Sequence, residues 1–458
     1  MFVSGPTSAS RKPPKTRASR TPGGASPLPS PPQTVRFTLP NGLETILIPL
    51  PDAEIVSSWV WYRIGSSHEH PGVTGAAHWL EHMLFKGTRS YGVGEIDRAI
   101  IGVGGNLNAF TDLDFTAYIT VVPRQSALLP LAIESERMTG ATLPAEELDK
   151  ERNVVLSERD MNENTPEFRM EEELFELAFR VHPYRWNTLG YAADIQSMDR
   201  EKLVEFYQEH YGPANATLVL SGGFDPVQIR TEIEARFGGI ENRAATPPPL
   251  GAEPPQRADR TSTLVGPGSS AMVRMAWHAP EVRSDQAHLA LLLGAILGGE
   301  AQLYTPGYTW GRSKEHPSSL LYRDLVDTNL AVSAGCDWQA SVCPGLFSIH
   351  ARASPRKPVE RLEEAIRSVV EKVRSRGFTA EDLREAKQKF LVNAGTVWSG
   401  TTMVAFRFGY FRSLGSLELE QTLLQKVLSA RRETVNAFAK ELLATGSTLV
   451  RYLPEEPE

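Results

Sequence analysis

The chain has 458 residues, 41% of them hydrophobic and 22% charged, so it is long enough for more than one domain and a sizeable core. A net charge of −7 argues against a nucleic-acid-binding surface spread over the whole molecule, and no uninterrupted apolar run reaches the roughly 18 residues of a membrane-spanning helix. Two cysteines, Cys336 and Cys343, are too few for a disulfide framework; they could pair or be two buried thiols, so they leave the compartment open.

The first 33 residues differ from the rest of the chain in composition. They are rich in Ser, Pro, Thr and Gly, they contain no acidic residue, and their basic residues are Arg11, Lys12, Lys15, Arg17 and Arg20. Such a segment buries too little apolar surface to offset the entropy lost on ordering. We therefore expect residues 1–33 to be a disordered basic tail, which lacks the apolar stretch of a secretory signal peptide.

Residues 34–245 alternate between strand-like and helix-like patterns. β-branched and apolar residues on both sides of Pro40, Asn41 and Gly42 predict a hairpin at the start of this segment. In chain order we expect a hairpin at 34–49, a strand at 56–64, a helix at 75–85, a strand at 114–122, a long helix at 144–179, a helix at 199–210 and a strand at 216–222. Strands interspersed with long helices favour an α+β fold over a doubly wound parallel sheet.

A proline-rich stretch, residues 246–260, separates this segment from a second one. It contains TPPPLGAEPPQR, and proline at that density excludes helix and favours an extended linker. Residues 261–458 then repeat the earlier order, with a strand, a helix at 287–297, strands at 330–352, a long helix at 359–397, a helix at 434–443 and a strand.

Two segments of the chain resemble each other. Residues 145–156, AEELDKERNVVL, align with residues 380–391, AEDLREAKQKFL, at a constant offset of 235. Shared helix patterning could produce this match by chance, but together with the matching order of elements it favours a duplication. We therefore expect two homologous domains, at 34–245 and 261–458.

An HxxEH motif, formed by His78, Glu81 and His82, lies in a stretch with the pattern of a half-buried helix. Positions i, i+3 and i+4 of a helix share one face, so both imidazoles can bind a single ion. Zinc hydrolases need neutral nitrogen ligands, an open position for water and a carboxylate base, for which Glu81 is well placed. The alternative is a chance HxxEH on an amphipathic helix; we favour the zinc interpretation.

A catalytic zinc usually has three protein ligands, and the long helix offers two candidates for the third. Glu151 and Glu158 are seven residues apart, so they lie two turns apart on the same helix face. Either could equally be a solvated surface carboxylate.

Three stretches closely resemble the pitrilysin/insulinase family of zinc peptidases, namely AAHWLEHMLFKGT, GGNLNAFTDLDFTAY and ERNVVLSE. They look most like the mitochondrial-processing-peptidase branch and its bacterial relatives. The resemblance covers about residues 34–226 with specific motifs and continues more weakly to the C-terminus. It implies one Zn²⁺ per chain and two α/β-sandwich domains, each a mostly antiparallel sheet with packed helices, that together form one half of a clam-shell.

The resemblance also implies roles for individual residues. The family's zinc glutamate lies 76 positions after the second histidine, which is Glu158 here. The implied ligands are thus His78, His82 and Glu158, with Glu81 as the base that activates water. A family glutamate that supports the site from outside the ligand set falls on Glu151.

The segment after Gly104 resembles the family's substrate-binding strand. By itself it is a glycine-assisted turn that enters a strand. In the family this strand lies at a sheet edge and adds the substrate as a further β-strand, so the resemblance implies substrate contacts at Asn108, Ala109 and Phe110. Strand addition uses backbone hydrogen bonds and therefore requires an extended peptide.

The second half departs from the family pattern. Active members carry an Arg and a Tyr there that hold the substrate backbone and stabilise the transition state, but these positions fall on Val326 and Val332, with one residue missing between them. Valine cannot donate a hydrogen bond to a developing negative charge. In the internal repeat, Glu151 and Glu158 align with Ala386 and Asn393, so this half has also lost the zinc site.

These departures predict that the chain is one subunit of a heterodimer. A homologous subunit would supply the Arg and Tyr, and the two bilobed chains would enclose a chamber for short or unfolded peptides. The resemblance to bacterial relatives favours a periplasmic over a cytoplasmic location. Residues 300–317 look like an insertion that forms a surface loop or part of an interface.

Two other functions stay open at this point. The chain could be a structural subunit of a larger complex, although relatives in that role usually have degraded zinc motifs and this chain retains all five acidic and imidazole positions. It could also be a peptidase in the maturation of a peptide-derived cofactor.

Overall fold

A computed structural model describes residues 31–243, 250–299, 301, 303, 316–396 and 400–455 of the chain. Most of the predicted tail (1–33), most of the predicted insertion (300–317) and part of the predicted linker (246–260) therefore lie outside the described residues. Among the helices that are described, none combines the length and the apolar character needed to cross a membrane.

The strands of the described residues form two sheets. The strands are β1 (Val35–Thr38), β2 (Glu44–Pro49), β3 (Ile55–Tyr62), β4 (Asn106–Thr111), β5 (Thr116–Pro123), β6 (Ala216–Gly222), β7 (Arg260–Gly266), β8 (Met272–Ala279), β9 (Ala331–Trp338), β10 (Gly345–Ala353) and β11 (Thr448–Pro454). The first six strands form one sheet and the other five form the second.

Helices pack on both sheets. They are α1 (Ala76–Met83), α2 (Glu95–Gly102), α3 (Leu129–Gly140), α4 (Ala145–Glu163), α5 (Pro166–Ala178), α6 (Ala192–Ser197), α7 (Arg200–His210), α8 (Pro226–Phe237), α9 (Ala287–Leu297), α10 (Val359–Arg376), α11 (Ala380–Thr396), α12 (Thr401–Ser413), α13 (Leu419–Ser429) and α14 (Arg432–Leu442). Most are amphipathic and bury one apolar face, as helices of a globular core do.

The two sheets share one pairing pattern. The first has the order β1-β2-β6-β3-β5-β4 and the second the order β7-β11-β8-β10-β9. β2 pairs parallel to β6 and β7 pairs parallel to β11, whereas every other neighbour in the two sheets is antiparallel. Apart from β1, each strand of the first sheet thus has a counterpart in the second. The predicted fold class, two mostly antiparallel sheets with packed helices, is confirmed; the predicted domain boundaries stay predictions.

The two halves exchange one helix each. α5, from the first half, packs on β11, β7 and β8, whereas α12, from the second half, packs on β3 and β6. The exchanged helices are counterparts, because adding the repeat offset of 235 to the bounds of α5 gives 401–413, the bounds of α12. Under α12 lies an aromatic cluster in which Trp59 and Trp61 stack and Phe406 meets both rings edge-on. Through this exchange, residues of both halves share two of the hydrophobic clusters.

Two predicted long helices are each divided in the structure, so those predictions were wrong. The helix predicted at 144–179 ends at Glu163 and restarts at Pro166, because a proline has no N–H to continue the ladder but is well suited to the first turn of a new helix. The helix predicted at 359–397 is divided after Arg376 at Gly377, whose φ of 70° is accessible to glycine at little cost.

The two cysteines are both free thiols. Cys336 is buried on β9, where its thiol lies 3.2 Å from the carbonyl oxygen of Gly294, and Cys343 lies just before β10. Cys336 therefore lies in β9 itself, whereas Cys343 lies in the connection between the two strands.

Gly409 of α12 lets this helix pack closely against Trp61 of the first sheet. A Cβ at this position would lie 1.9 Å from Nε1 of the buried Trp61. We predict that Gly409→Ala lowers the free energy of unfolding by about 1–3 kcal/mol, because this core cannot take an added methyl group without moving α12. Thermal or denaturant unfolding of the full chain measures the change.

Gly294 on α9 provides the matched control, because a Cβ there would only reach ordinary contact, 3.9 Å from Phe347. Alanine is intrinsically better than glycine in a helix by about 1 kcal/mol, so Gly294→Ala should be neutral or stabilising. A Gly409→Ala protein as stable as the wild type would contradict the proposed close contact.

Candidate metal centre

The helix that carries HxxEH, α1, is held at its N-terminus by a buried carboxylate. Glu69 accepts hydrogen bonds from the backbone N–H groups of Gly75 and Ala77, both at 2.8 Å. A carboxylate at this end satisfies free N–H groups and interacts favourably with the helix dipole. Gly75 has a φ of 86°, and a Cβ on it would lie 2.6 Å from the carbonyl oxygen of Leu189. Only glycine therefore suits this start.

Three side chains converge where α1 packs against α4. The Nε2 atoms of His78 and His82 are 3.2 Å apart, and they lie 3.7 and 3.6 Å from Oε2 of Glu158. Ligands of a tetrahedral zinc with bonds near 2.0–2.1 Å are about 3.3 Å apart, so the triangle has the size that zinc needs. Among the described residues, these three are the one cluster of potential ligands close enough for a metal ion.

The environment suits both the ligands and the approach of a substrate. Burial lowers the pKa of His78 to about 3, which keeps its imidazole in the neutral form that binds metal. The side chain of His78 is 7% exposed, whereas that of Glu158 is 35% exposed, so the site opens on the Glu158 side. Two imidazole nitrogens and one carboxylate are the donor set of a catalytic zinc centre. They leave the fourth position of the tetrahedron for a water molecule or a substrate.

Glu151 orients His82 from behind the site. Its Oε1 lies 2.9 Å from Nδ1 of His82, and its Oε2 lies 2.7 Å from Nζ of Lys86. The hydrogen bond with His82 lowers the pKa of Glu151. Burial acts to lower the pKa of His82, but the hydrogen bond to Glu151 and the nearby carboxylates raise it. A carboxylate on Nδ1 fixes the tautomer and directs Nε2 toward a metal.

Glu81 is buried beside the ligands and is bound to strand β4. Its Oε2 accepts a 2.7 Å hydrogen bond from Oγ1 of Thr111. Burial raises the pKa of Glu81 to about 7, and the Thr111 hydrogen bond opposes that rise. A carboxyl group with such a pKa can both accept and return a proton near neutrality, as a general base and acid must.

Strand β4 lies at one edge of the first sheet, as a substrate-binding strand must. Asn108 is exposed there, and its Oδ1 accepts a hydrogen bond from the N–H of Ala109. Phe110 instead packs its partly buried ring into the aromatic cluster beside Trp61. The substrate contacts assigned to Asn108, Ala109 and Phe110 stay a prediction.

The second half contains no comparable centre among its described residues. Ala386 is buried in α11, and Nδ2 of Asn393 donates to the carbonyl oxygen of Ala301 at 2.7 Å. Val326 is partly buried against the core, and Val332 is 46% exposed on β9. Neither valine has a polar side-chain group to offer a substrate.

Three residues that contact the centre or its helix were given no role from the sequence alone. Lys86 lies four residues after His82, and that helical spacing was a usable signal. Thr111 ends the NAFT segment beside the predicted substrate contacts. Glu69 gave no signal, because it caps α1 from outside the helix.

Two family models match the chain. Residues 45–191 match the one described as Insulinase (Peptidase family M16), and residues 197–390 match the one described as Peptidase M16 inactive domain. The Bacillus subtilis protein named uncharacterized zinc protease YmxG is 24% identical over 421 residues, which cover 92% of this chain and 98% of that protein.

Solved structures also resemble the chain. A protease from Helicobacter pylori superimposes with a TM-score of 0.84 at 26% identity, over 93% of this chain and 100% of that one. The periplasmic protease PqqL from Escherichia coli shares the fold with a TM-score of 0.75 at 17% identity, over 94% of this chain but 48% of PqqL.

We predict that Lys86→Met weakens zinc binding by about 10- to 100-fold, because Glu151 loses the cation on its second oxygen and holds His82 less firmly. Competition with a chromogenic chelator measures the affinity. Lys150→Met is the matched control: Lys150 pairs with Glu147 at 2.6 Å elsewhere on α4, and its loss should leave zinc binding unchanged. Equal affinities of Lys86→Met and wild type would show that the contact of Lys86 with Glu151 does not contribute to zinc binding.

Proposed function

Because the chain belongs to the insulinase family of peptidases, family M16, we propose that it is the zinc-carrying subunit of a metalloendopeptidase. The observation that carries the proposal is the convergence of two imidazoles and a carboxylate at zinc-binding distances, with Glu81 beside them. The names of relatives such as zinc protease YmxG support the same activity.

His78, His82 and Glu158 would hold the ion, with Glu151 as the group that orients His82. When bound, zinc supplies Lewis-acid chemistry: it lowers the pKa of a water molecule and polarises a carbonyl group. Glu81 takes the proton from the attacking water and later delivers it to the leaving amine nitrogen. Because Thr111 holds one oxygen of Glu81, the other oxygen stays available for this transfer.

The outer edge of β4 is the proposed substrate-binding element. A peptide that pairs with this edge lies beside the strand whose last residue, Thr111, holds the base. Strand pairing depends on backbone groups, so it accepts many sequences but excludes folded substrates. We therefore propose short or unfolded peptides as the substrate class.

The active site on this chain is incomplete for the proposed reaction. Val326 and Val332 stand where family members have the Arg and Tyr that stabilise the transition state, and preorganised donors of that kind contribute about 10²- to 10³-fold to the rate. We propose that a homologous subunit supplies them across an enclosed chamber. The match to PqqL supports this pairing, because the fold of this chain accounts for 48% of PqqL and leaves room for a second such unit. PqqL is periplasmic, and we propose the same compartment here.

Replacing Glu81 with Gln should abolish cleavage without loss of zinc. The amide is the same size but cannot take a proton, so we expect activity to fall by about 10²- to 10⁴-fold, while metal analysis still finds one zinc per chain. Glu54→Gln, which changes an exposed carboxylate, is the control and should cleave like the wild type. An active Glu81→Gln protein would show that another group is the base.

The purified chain alone should cleave a fluorogenic peptide library no faster than background, and a homologous subunit with the Arg and Tyr should restore turnover. Purification of the chain from its native source, followed by sequencing of whatever accompanies it, identifies the partner to add. Robust turnover by the chain alone would contradict the requirement for a partner.

A further inference from the structure

The turn between β4 and β5, residues 112–115, carries two carboxylates close to the proposed active site, Asp114 buried and Asp112 partly buried. Asp112 closes the turn: its N–H donates to the carbonyl oxygen of Phe115 at 2.8 Å, and its Oδ1 accepts from the N–H of Leu113 at 2.6 Å. Asp114 is 5% exposed and accepts from Oη of Tyr184 at 2.8 and 2.9 Å. This turn follows directly after Thr111, the residue that holds Glu81.

The second half of the chain binds this turn through its corresponding hairpin. Residues 339–344 connect β9 to β10, the counterparts of β4 and β5. Nε2 of Gln339 donates to Oδ1 of Asp112 at 3.1 Å, and the N–H of Val342 donates to Oδ2 of Asp114 at 2.8 Å. The N–H of Cys343 donates to Oη of Tyr184, the same hydroxyl that donates to Asp114.

On its other side, the turn holds the segment that leads into α1. The N–H groups of Ser66 and Ser67 donate to the carbonyl oxygens of Asp112 and Leu113 at 3.2 and 2.8 Å, and Oγ of Ser67 donates to Asp114 at 3.3 Å. A Cβ at Gly65 would lie 2.2 Å from the carbonyl oxygen of Asp112, so the approach is as close as glycine allows.

We propose that the second half, through Gln339 and Val342, positions the end of β4 and thereby the Thr111 hydroxyl that orients Glu81. Asp112 and Asp114 are positioning residues in this account, which rests on the proposed peptidase function. The half that has no zinc ligands thus contributes to catalysis by fixing the substrate strand and the base relative to α1.

The chemistry of buried carboxylates makes this connection sensitive to each donor. A carboxylate removed from water is stable only when hydrogen bonds replace its hydration. Burial raises the pKa of Asp112 to about 6 and raises that of Asp114, while the hydrogen bonds from Leu113, Gln339, Val342, Tyr184 and Ser67 oppose the rise. Loss of the donors from 339–342 would leave both groups under-solvated, so the turn would have to move.

Two variants test the proposal in the zinc-loaded full chain. Asp114→Asn keeps the shape but has one accepting oxygen where the carboxylate has two, so it cannot serve Val342 and the donors on its other side together. Gln339→Ala removes one donor and leaves the first half unaltered, so it remains informative if Asp114→Asn does not fold. Glu171→Gln is the matched control: Glu171 on α5 also joins the halves, through a 2.6 Å pair with Arg274 on β8, but does not contact the turn.

For each protein we measure the hydrogen exchange of residues 106–111, the zinc content, kcat and KM. The kinetic constants are measured with the chain alone or with its partner subunit, whichever form of the wild type cleaves peptides. We expect both test variants to retain zinc, to exchange the amides of β4 about tenfold faster, and to lose about 10- to 100-fold in kcat through misplacement of Glu81. Glu171→Gln should match the wild type in exchange of β4 and in kcat.

The proposal would be overturned if both test variants kept the wild-type hydrogen exchange of β4 or the wild-type kcat. It would also be overturned if Glu171→Gln lost as much kcat as they do, because that would indicate a general loosening between the halves. Failure of the proposed function is distinguishable, because it would appear as a wild-type protein that cleaves nothing with or without the partner. The exchange of β4 would still report whether the second half fixes this strand.

Discussion

The buried polar face of α1 sets the requirements for everything around it. Two imidazoles and a carboxylate are placed in a largely apolar core, where each polar group must have a partner or destabilise the fold. α4 supplies Glu151 and Glu158, β4 supplies Thr111, and Glu69 caps the start of the helix. The contacts that provide partners for these polar groups of α1 therefore also assemble the candidate metal centre.

A duplication would explain why a chain with one such centre among its described residues has two similar halves. The second sheet repeats the pairing of the first, and α5 and α12 are exchanged between the halves at the same offset of 235 that relates the repeated helices. Exchange places part of each half in the core of the other, and the second half has Ala386 and Asn393 at the positions that align with Glu151 and Glu158.

Much of the site could be predicted from the sequence, because its main signals are local. The HxxEH motif needs only helical spacing, and Glu158 follows from a fixed distance to His82 within a recognised family. Helix continuity at 144–179 was predicted wrongly because the apolar pattern continues through Pro166, whose missing N–H ends the hydrogen-bond ladder. The contacts of Asp112 and Asp114 with Gln339 and Val342 join residues more than 220 positions apart, and no local pattern reports such pairs.

X-ray absorption at the zinc edge of the purified chain, loaded with one equivalent of zinc, tests the central claim most directly. Coordination by His78, His82 and Glu158 predicts two imidazole nitrogens and one or two oxygens at about 2.0–2.2 Å, with one imidazole lost in His82→Ala. A sulfur ligand, or a spectrum that His82→Ala leaves unchanged, would place the metal elsewhere and contradict the account.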